Sequence, residues 1–323
     1  MNNGLWLNDG HWAEYRDLMG LQRVHENAAL WSVYTPIDCG AGSQQQCYNA
    51  TRYVDSKIPH LPVRWQSNPL YDRISDCGAD TLYTISTSNW MPYSWSINNV
   101  ASAEVMNTAL AFFNSGRSNA GFNLMKANIM DQMYLGSCPA NFGQVSYYDA
   151  ARGECYRDFG DNVGVSARTL LQGLFGIQPD ALNGKCVIRP GFPAEWDSAS
   201  VKTPYLSYTY RKKGDKAELT IEQNFSKPLD IIVRVNKGEG LYSDYHATSE
   251  RIQTVTVDIP DGGELYTASS IKADSHDADR LGLSEPNVDA PFRMIDISKD
   301  FNAEVDDIYK NEYLSPRPPY TTL

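Results

Sequence analysis

The chain has 323 residues, 39 acidic against 28 basic side chains and a net charge of −11. That length exceeds a single core of roughly 100–200 residues and predicts two domains with ample apolar material to bury. Basic residues form no stripe that could neutralise phosphates, which argues against nucleic acid as a partner. No window reaches the roughly 20 apolar residues that span a bilayer.

Up to about Gly176 the apolar residues recur at helical spacing. Helices are predicted over 27–34 and 44–55. The clearest one follows Asn98, a candidate N-cap, with Val100, Ala103, Met106, Leu110 and Phe113 along one side until Gly116. Phe122, Met125, Ile129 and Met133 repeat the pattern before Gly136, so a helical hairpin is expected around the Gly116–Asn119 turn. Another helix is expected from Asp161 through Val163, Ala167, Leu170, Leu171 and Leu174 to Phe175, with Gly176 as its C-terminal stop. The stretches 58–95 and 136–152 are rich in Pro, Gly, Asn and Tyr and read as long, ligand-facing loops.

After Gly184 the period changes to two. Alternating segments at 187–189, 201–210, 217–223, 229–235, 252–259 and 265–270, separated by turns such as Lys213-Gly-Asp215 and Asp261-Gly-Gly263, predict an antiparallel β-sandwich. The expected class is therefore α+β and multidomain: helical over 1–180, sandwich over 181–271, and an extended linker or tail over 272–323 that ends in Ser315-Pro-Arg-Pro-Pro-Tyr320.

The six cysteines are scattered and contain no CxxC pair, so no zinc site is expected. One or two disulfides in a periplasmic setting and six reduced thiols in a cytosolic one both fit. Met1-Asn-Asn-Gly-Leu-Trp6 carries neither the basic nor the apolar region of an export signal. A nucleophile-elbow serine, a phosphate-binding glycine loop and an H-E-x-x-H helix are absent from the sequence, and no cofactor is expected.

Several segments together resemble the six-hairpin glycosidase superfamily. They are Trp12-Ala-Glu-Tyr-Arg-Asp17, Ala29-Leu-Trp-Ser-Val-Tyr34, Asn89-Trp-Met-Pro-Tyr-Ser-Trp95, Gly153-Glu-Cys-Tyr-Arg-Asp158, Gly176-Ile-Gln-Pro-Asp180 and Ile188-Arg-Pro-Gly-Phe-Pro193. Within it the chain is most similar to an uncharacterised family of polysaccharide-degrading gut bacteria. The resemblance implies an (α/α)6 toroid followed by a β-sandwich, a carbohydrate ligand, and a periplasmic or secreted location. Because only five or six helices are readable before Gly176, it also implies the second half of a toroid, with the missing N-terminal portion as a partner. A small helical domain complete in itself is the alternative.

Glycosidic cleavage needs one carboxylic acid to protonate the leaving oxygen and one carboxylate to activate water or attack the sugar. Acids set among aromatics are the natural candidates, since partial desolvation raises a carboxyl into the useful range. Glu14, Glu154 and Asp158 are the catalytic candidates. Trp12, Asp17, Trp90, Tyr93, Trp95, Tyr156 and Arg157 are the substrate-binding ones, with indole and phenol rings stacking on pyranose faces. Each has a structural alternative: an ion pair with Arg16 or Arg23 for Glu14, a loop-pinning network for Glu154 and Asp158, and core packing for the tryptophans. Asp161 reads as an N-cap, Asp76 and Asp80 as turn residues, and His25 and His60 as loop or core histidines.

The leading expectation is an inverting glycoside hydrolase. A carbohydrate-binding or structural fragment without activity is the second. The third is a polysaccharide lyase using Tyr147, Tyr148 and Arg152.

Overall fold

The computed structural model describes residues 4–58, 60–62, 82–89, 100–130 and 161–259. The chain begins with a short hairpin, β1 (Tyr15–Arg16) on β2 (Val24–His25), where a helical start was expected. Helix α1 (Leu30–Asp38) follows, then α2 (Gln44–Lys57). Ser43 starts α2 with a reciprocal cap: its hydroxyl accepts the Gln46 N–H at 3.2 Å and the Gln46 side chain accepts the Ser43 N–H at 3.0 Å. A second two-stranded ribbon, β3 (His60–Pro62) on β4 (Tyr83–Ile85), lies within the stretch expected to be loop.

Helices α3 (Ser102–Asn114) and α4 (Ser118–Ile129) form the predicted hairpin. Val105, Met106, Ala109, Leu110, Phe112 and Phe113 are all buried, so α3 is apolar on nearly every side and runs through the middle of the core. Gly116, at φ +83°, takes the left-handed turn between the two helices. Arg117 then turns inward, 1 % exposed. It donates to both Asp55 oxygens at 3.3 and 2.6 Å, which ties the hairpin turn to α2. Asp55 also pairs with Arg52 at 3.1 Å.

The helix expected over 161–175 is α-helical only as α5 (Asp161–Arg168) and then widens into a π segment over Thr169–Leu174. The Thr169 hydroxyl donates to the Met106 carbonyl at 3.0 Å, and Phe113 lies against Gly173, where a β-carbon would come within 2.5 Å of its ring. Gly176 ends the segment at φ +64°, and no side chain fits there because a β-carbon would lie 1.8 Å from the Arg189 carbonyl oxygen. That close approach lets Arg189 N–H reach the Gly176 carbonyl at 2.9 Å and Gly191 N–H reach that of Leu174 at 3.0 Å. The buried Arg189 guanidinium then donates to Gln44 on α2, Asn114 at the end of α3 and Asn236 in the sheet. The Gly-Ile-Gln-Pro-Asp and Pro-Gly-Phe-Pro segments thus join helices to sheets.

Ile177–Asp180 is strand β5, and a 3-10 turn (Ala181–Asn183) leads into β6 (Lys185–Ile188). The remaining strands are β7 (Ser198–Lys202), β8 (Leu206–Lys213), β9 (Lys216–Gln223), β10 (Asp230–Gly238), β11 (Leu241–His246) and β12 (Ile252–Asp258). One sheet runs β12-β9-β8-β7, all antiparallel. The other runs β11-β10-β6-β5. Here the expectation of a purely antiparallel sandwich is corrected, because β10 pairs with β6 in parallel. The chain crosses to the first sheet and back between these two strands, which brings β10 alongside β6 in the same direction. Leu219 and Ile221 of one sheet and Ile231 and Val233 of the other share a single buried cluster with the helices. The segment 265–270 lies outside the described residues. No helix among the described residues is long and apolar enough to cross a membrane.

Candidate functional site

Helix α1 carries the site. Trp31, Tyr34 and Asp38 follow one another at i, i+3 and i+7 and share one stripe of the helix, away from buried Leu30, Val33 and Ile37. Each is gripped by a charged group from a different element.

At the start of the stripe Glu14 projects from the N-terminal hairpin onto the helix entrance. Its Oε2 accepts the Ala29 N–H at 2.9 Å and the Ser32 hydroxyl at 2.6 Å, and its Oε1 accepts the Trp31 indole N–H. α1 lacks a side-chain cap of its own at Ala29, so Glu14 supplies from a distance the acceptor that the first turn needs. The ion pair with Arg16 does not form; the Arg16 guanidinium donates instead to the Gly4 carbonyl at 3.1 Å. Asp17 accepts from, or pairs with, His25 Nε2 at 2.9 Å, and the His25 ring stacks on Tyr15. Trp12 is wholly buried, edge-on to Trp6 and against Gly42.

One turn along, the Tyr34 hydroxyl donates to Glu104 Oε2, with Asn107 of the same helix as its second neighbour. Glu104 lies in the first turn of α3 and is half-buried. Burial pushes its carboxyl above the ordinary value. The Tyr34 hydrogen bond pulls it part of the way back, and the negative charge of Asp161 pushes it up again. Asp161 opens α5, and its own carboxyl is raised by burial and lowered by the backbone N–H of Asn162. The Tyr34 phenol is held far above its ordinary value by burial and by Glu104, so it stays a hydrogen-bond donor at any working pH. At the end of the stripe Asp38 takes both terminal nitrogens of Arg168, which fastens α5 alongside α1.

Of the residues that sequence reasoning singled out, the structure places Glu14 and Asp17 at the entrance of α1 and Trp12 in the core behind it. Glu154, Asp158, Trp90, Tyr93, Trp95, Tyr156 and Arg157 lie outside the described residues, as do Asp76, Asp80, Tyr147, Tyr148 and Arg152. Tyr34 and Glu104 were missed. Glu104 is the lone acid in the apolar run Ser102-Ala-Glu-Val-Met106, and a single charge in an otherwise buried helix is the signal that could have found it. His60 is fully buried on the Ile58 carbonyl at 2.8 Å, and burial lowers its pKa, which makes it a core histidine.

Among the described residues no group of three or more His, Cys, Asp and Glu side chains could hold a metal ion. A cleft of about 290 Å³ lies away from α1, between the first turn of α4 and the sheets, lined by Asn119, Phe192, Tyr210, Lys212 and Arg234. Three of its polar groups are already engaged: Arg234 with Asp244 at 2.7 Å, Lys212 with the Ala194 carbonyl at 2.9 Å, and Asn119 with the Ala194 N–H at 3.1 Å. The α1 stripe, where Tyr34 meets the raised carboxyl of Glu104 and that carboxyl in turn feels Asp161, is the better candidate for chemistry.

No protein-family model matches the chain, and no curated protein matches it. Among solved structures, a chain described as "Putative kojibiose phosphorylase from human microbiome" is similar at 12% sequence identity with a TM-score of 0.30. The match covers 68% of this chain and 31% of that one, so this chain spans about a third of that structure's length.

Proposed function

We propose that the chain is a carbohydrate-active enzyme that cleaves glycosidic bonds, with Glu104 as the proton donor. One observation carries the reading: Glu104 and Asp161 stand at the first turns of neighbouring helices, and burial raises both carboxyls. The negative charge of Asp161 adds to burial in raising Glu104, so Glu104 is the group that holds a proton as the acid while the more exposed Asp161 acts as the base. In hydrolysis the proton leaves Glu104 for the glycosidic oxygen as the bond from that oxygen to the anomeric carbon breaks. A water molecule gives its oxygen to that carbon and its proton to the ionised carboxylate. For inversion that carboxylate is Asp161, with Glu154 and Asp158 on the preceding stretch of chain as alternative acceptors. This chemistry needs no metal or cofactor.

The proposal keeps the (α/α)6-toroid relation, with the described helices as part of such a ring, and a periplasmic or secreted location. Trp31 on the α1 stripe, together with Trp90, Tyr93, Trp95, Tyr156 and Arg157, would bind the sugar rings and their hydroxyls. The test is release of reducing sugar from a panel of neutral oligosaccharides and polysaccharides, with and without inorganic phosphate to separate hydrolysis from phosphorolysis. Glu104→Gln and Asp161→Asn should each lower turnover by about 100-fold or more while remaining folded. Full activity in Glu104→Gln removes Glu104 as the donor. Sugar binding with no cleavage by the native chain replaces the enzyme reading with the binding one.

A further inference from the structure

We propose that Tyr34 is a positioning residue that fixes which oxygen of Glu104 carries the transferable proton. The inference rests on the reading of Glu104 as donor and goes beyond it to the group that makes the donor competent. The Tyr34 hydroxyl donates to Oε2, so that oxygen is committed as an acceptor. A protonated Glu104 must then carry its own hydrogen on Oε1, which takes no hydrogen bond among the described residues. Tyr34 cannot reverse the roles by giving up its proton, since burial and the adjacent carboxyl hold its phenol far above the ordinary range. The contact joins residues 70 positions apart on two packed helices, so the geometry is set by the fold and not by a mobile loop. After the proton has left, the same hydroxyl stabilises the carboxylate that remains, which is why the bond assists transfer instead of merely ordering the side chain.

The charged groups facing this pair among the described residues are Asp38 on α1 and Asp161 on α5, with Arg168 bound to Asp38. Among the described residues none of these charged groups donates to Glu104; Asn107, which bonds the Tyr34 hydroxyl, is the neighbouring neutral donor. Tyr34→Phe keeps the ring and deletes only the donor.

The experiment has two arms. In the first, kinetics on a cleaved glycan should show kcat falling roughly 10- to 100-fold in Tyr34→Phe, the size of a hydrogen bond to an ionised group, with KM changed by less than about twofold. The upper limb of the pH–rate profile should move to higher pH, because Glu104 loses a bond that favours its ionised form. A general packing defect would lower the rate without moving that limb. In the second arm, which needs no activity, carboxyl infrared bands of the native chain minus Glu104→Gln isolate Glu104, and the same subtraction is made in the Tyr34→Phe background. The band should persist to higher pH without the hydroxyl. An unchanged midpoint overturns the proposal, as does a further kcat loss when Tyr34→Phe is added to Glu104→Gln. A shifted band in a chain that cleaves no glycan upholds the Tyr34 role and defeats the enzyme reading alone.

Discussion

Replacing Glu14 with Gln separates the two roles open to this residue. The carboxylate accepts three hydrogen bonds at the entrance of α1, from Ala29, Trp31 and Ser32. A carboxamide offers one acceptor oxygen and one donor nitrogen. With its oxygen on the Ala29 and Ser32 side, its NH2 meets the Trp31 N–H, two donors facing each other. The substitution therefore loses one charge-assisted hydrogen bond, about 1.5–3 kcal/mol, and the favourable charge at the helix N-terminus, about 0.5–1 kcal/mol. The sum is about 2–4 kcal/mol. With a urea slope near 3 kcal/mol/M for a chain of this size, the unfolding midpoint should fall by about 1 M. Equilibrium urea unfolding followed by tryptophan fluorescence measures this and reports on Trp31 at the same time. Native-like stability in Glu14→Gln, with turnover of a cleaved glycan abolished, would refute the reasoning and restore Glu14 as a catalytic carboxylate.

Arg117→Met leaves the buried Asp55 carboxylate with Arg52 as its remaining ion-pair partner among the described residues and should cost about 3–5 kcal/mol in the same assay, whereas Asp55→Asn with Arg117→Met should recover much of that loss. Gly176→Ala forces a β-carbon into the Arg189 carbonyl at a left-handed position and should destabilise by at least about 2 kcal/mol, measured as a lower thermal midpoint. The raised carboxyl of Glu104 sets a pH dependence of stability: its contribution is fully present below about 4.5, the ordinary value, and is lost as pH rises through the raised folded one. Glu104→Gln lacks this titration, so the stability of the native chain relative to the variant should decline from pH 4 toward pH 7; a difference constant across that range contradicts the assignment.

The 3.6-residue period located α3 and α4 because their buried faces are built largely of Met, Phe, Leu, Val and Ala; it also located α5, but that helix buries Asn162 and Ser166 while Val163, and Leu170 and Leu171 just after it, are exposed, so the apolar face expected there is not the buried one. It gave no notice of the π segment, since that distortion follows from fitting Thr169 to Met106 and Gly173 around Phe113, contacts made only after folding. Strands β8 and β9 alternate cleanly, whereas β10 opens on the apolar run Ile231-Ile232-Val233 and β12 exposes Ile252. β11, Leu241-Tyr-Ser-Asp-Tyr-His246, escaped notice because it is an edge strand with mostly polar positions, although Gly238 and Gly240 mark the turn before it. β5 contains Pro179, which reads as a turn in sequence and is tolerated at the sheet edge, where a missing N–H costs nothing. The β1–β2 hairpin is too short to show any period. The site was legible only in part. Looking for acids beside aromatics found Glu14, whose aromatic neighbour in space is Trp31 and not Trp12. The same search passed over Glu104, whose phenol lies 70 residues away.

Leaving-group dependence probes the proposed acid most directly. A dinitrophenyl glycoside expels its phenolate without protonation, whereas a natural sugar leaving group requires it. If Glu104 delivers the proton, Glu104→Gln should lose cleavage of the natural glycoside by about 100-fold or more and cleave the dinitrophenyl glycoside of the same sugar at close to the native rate. Equal losses on both substrates, or none on either, would contradict the account.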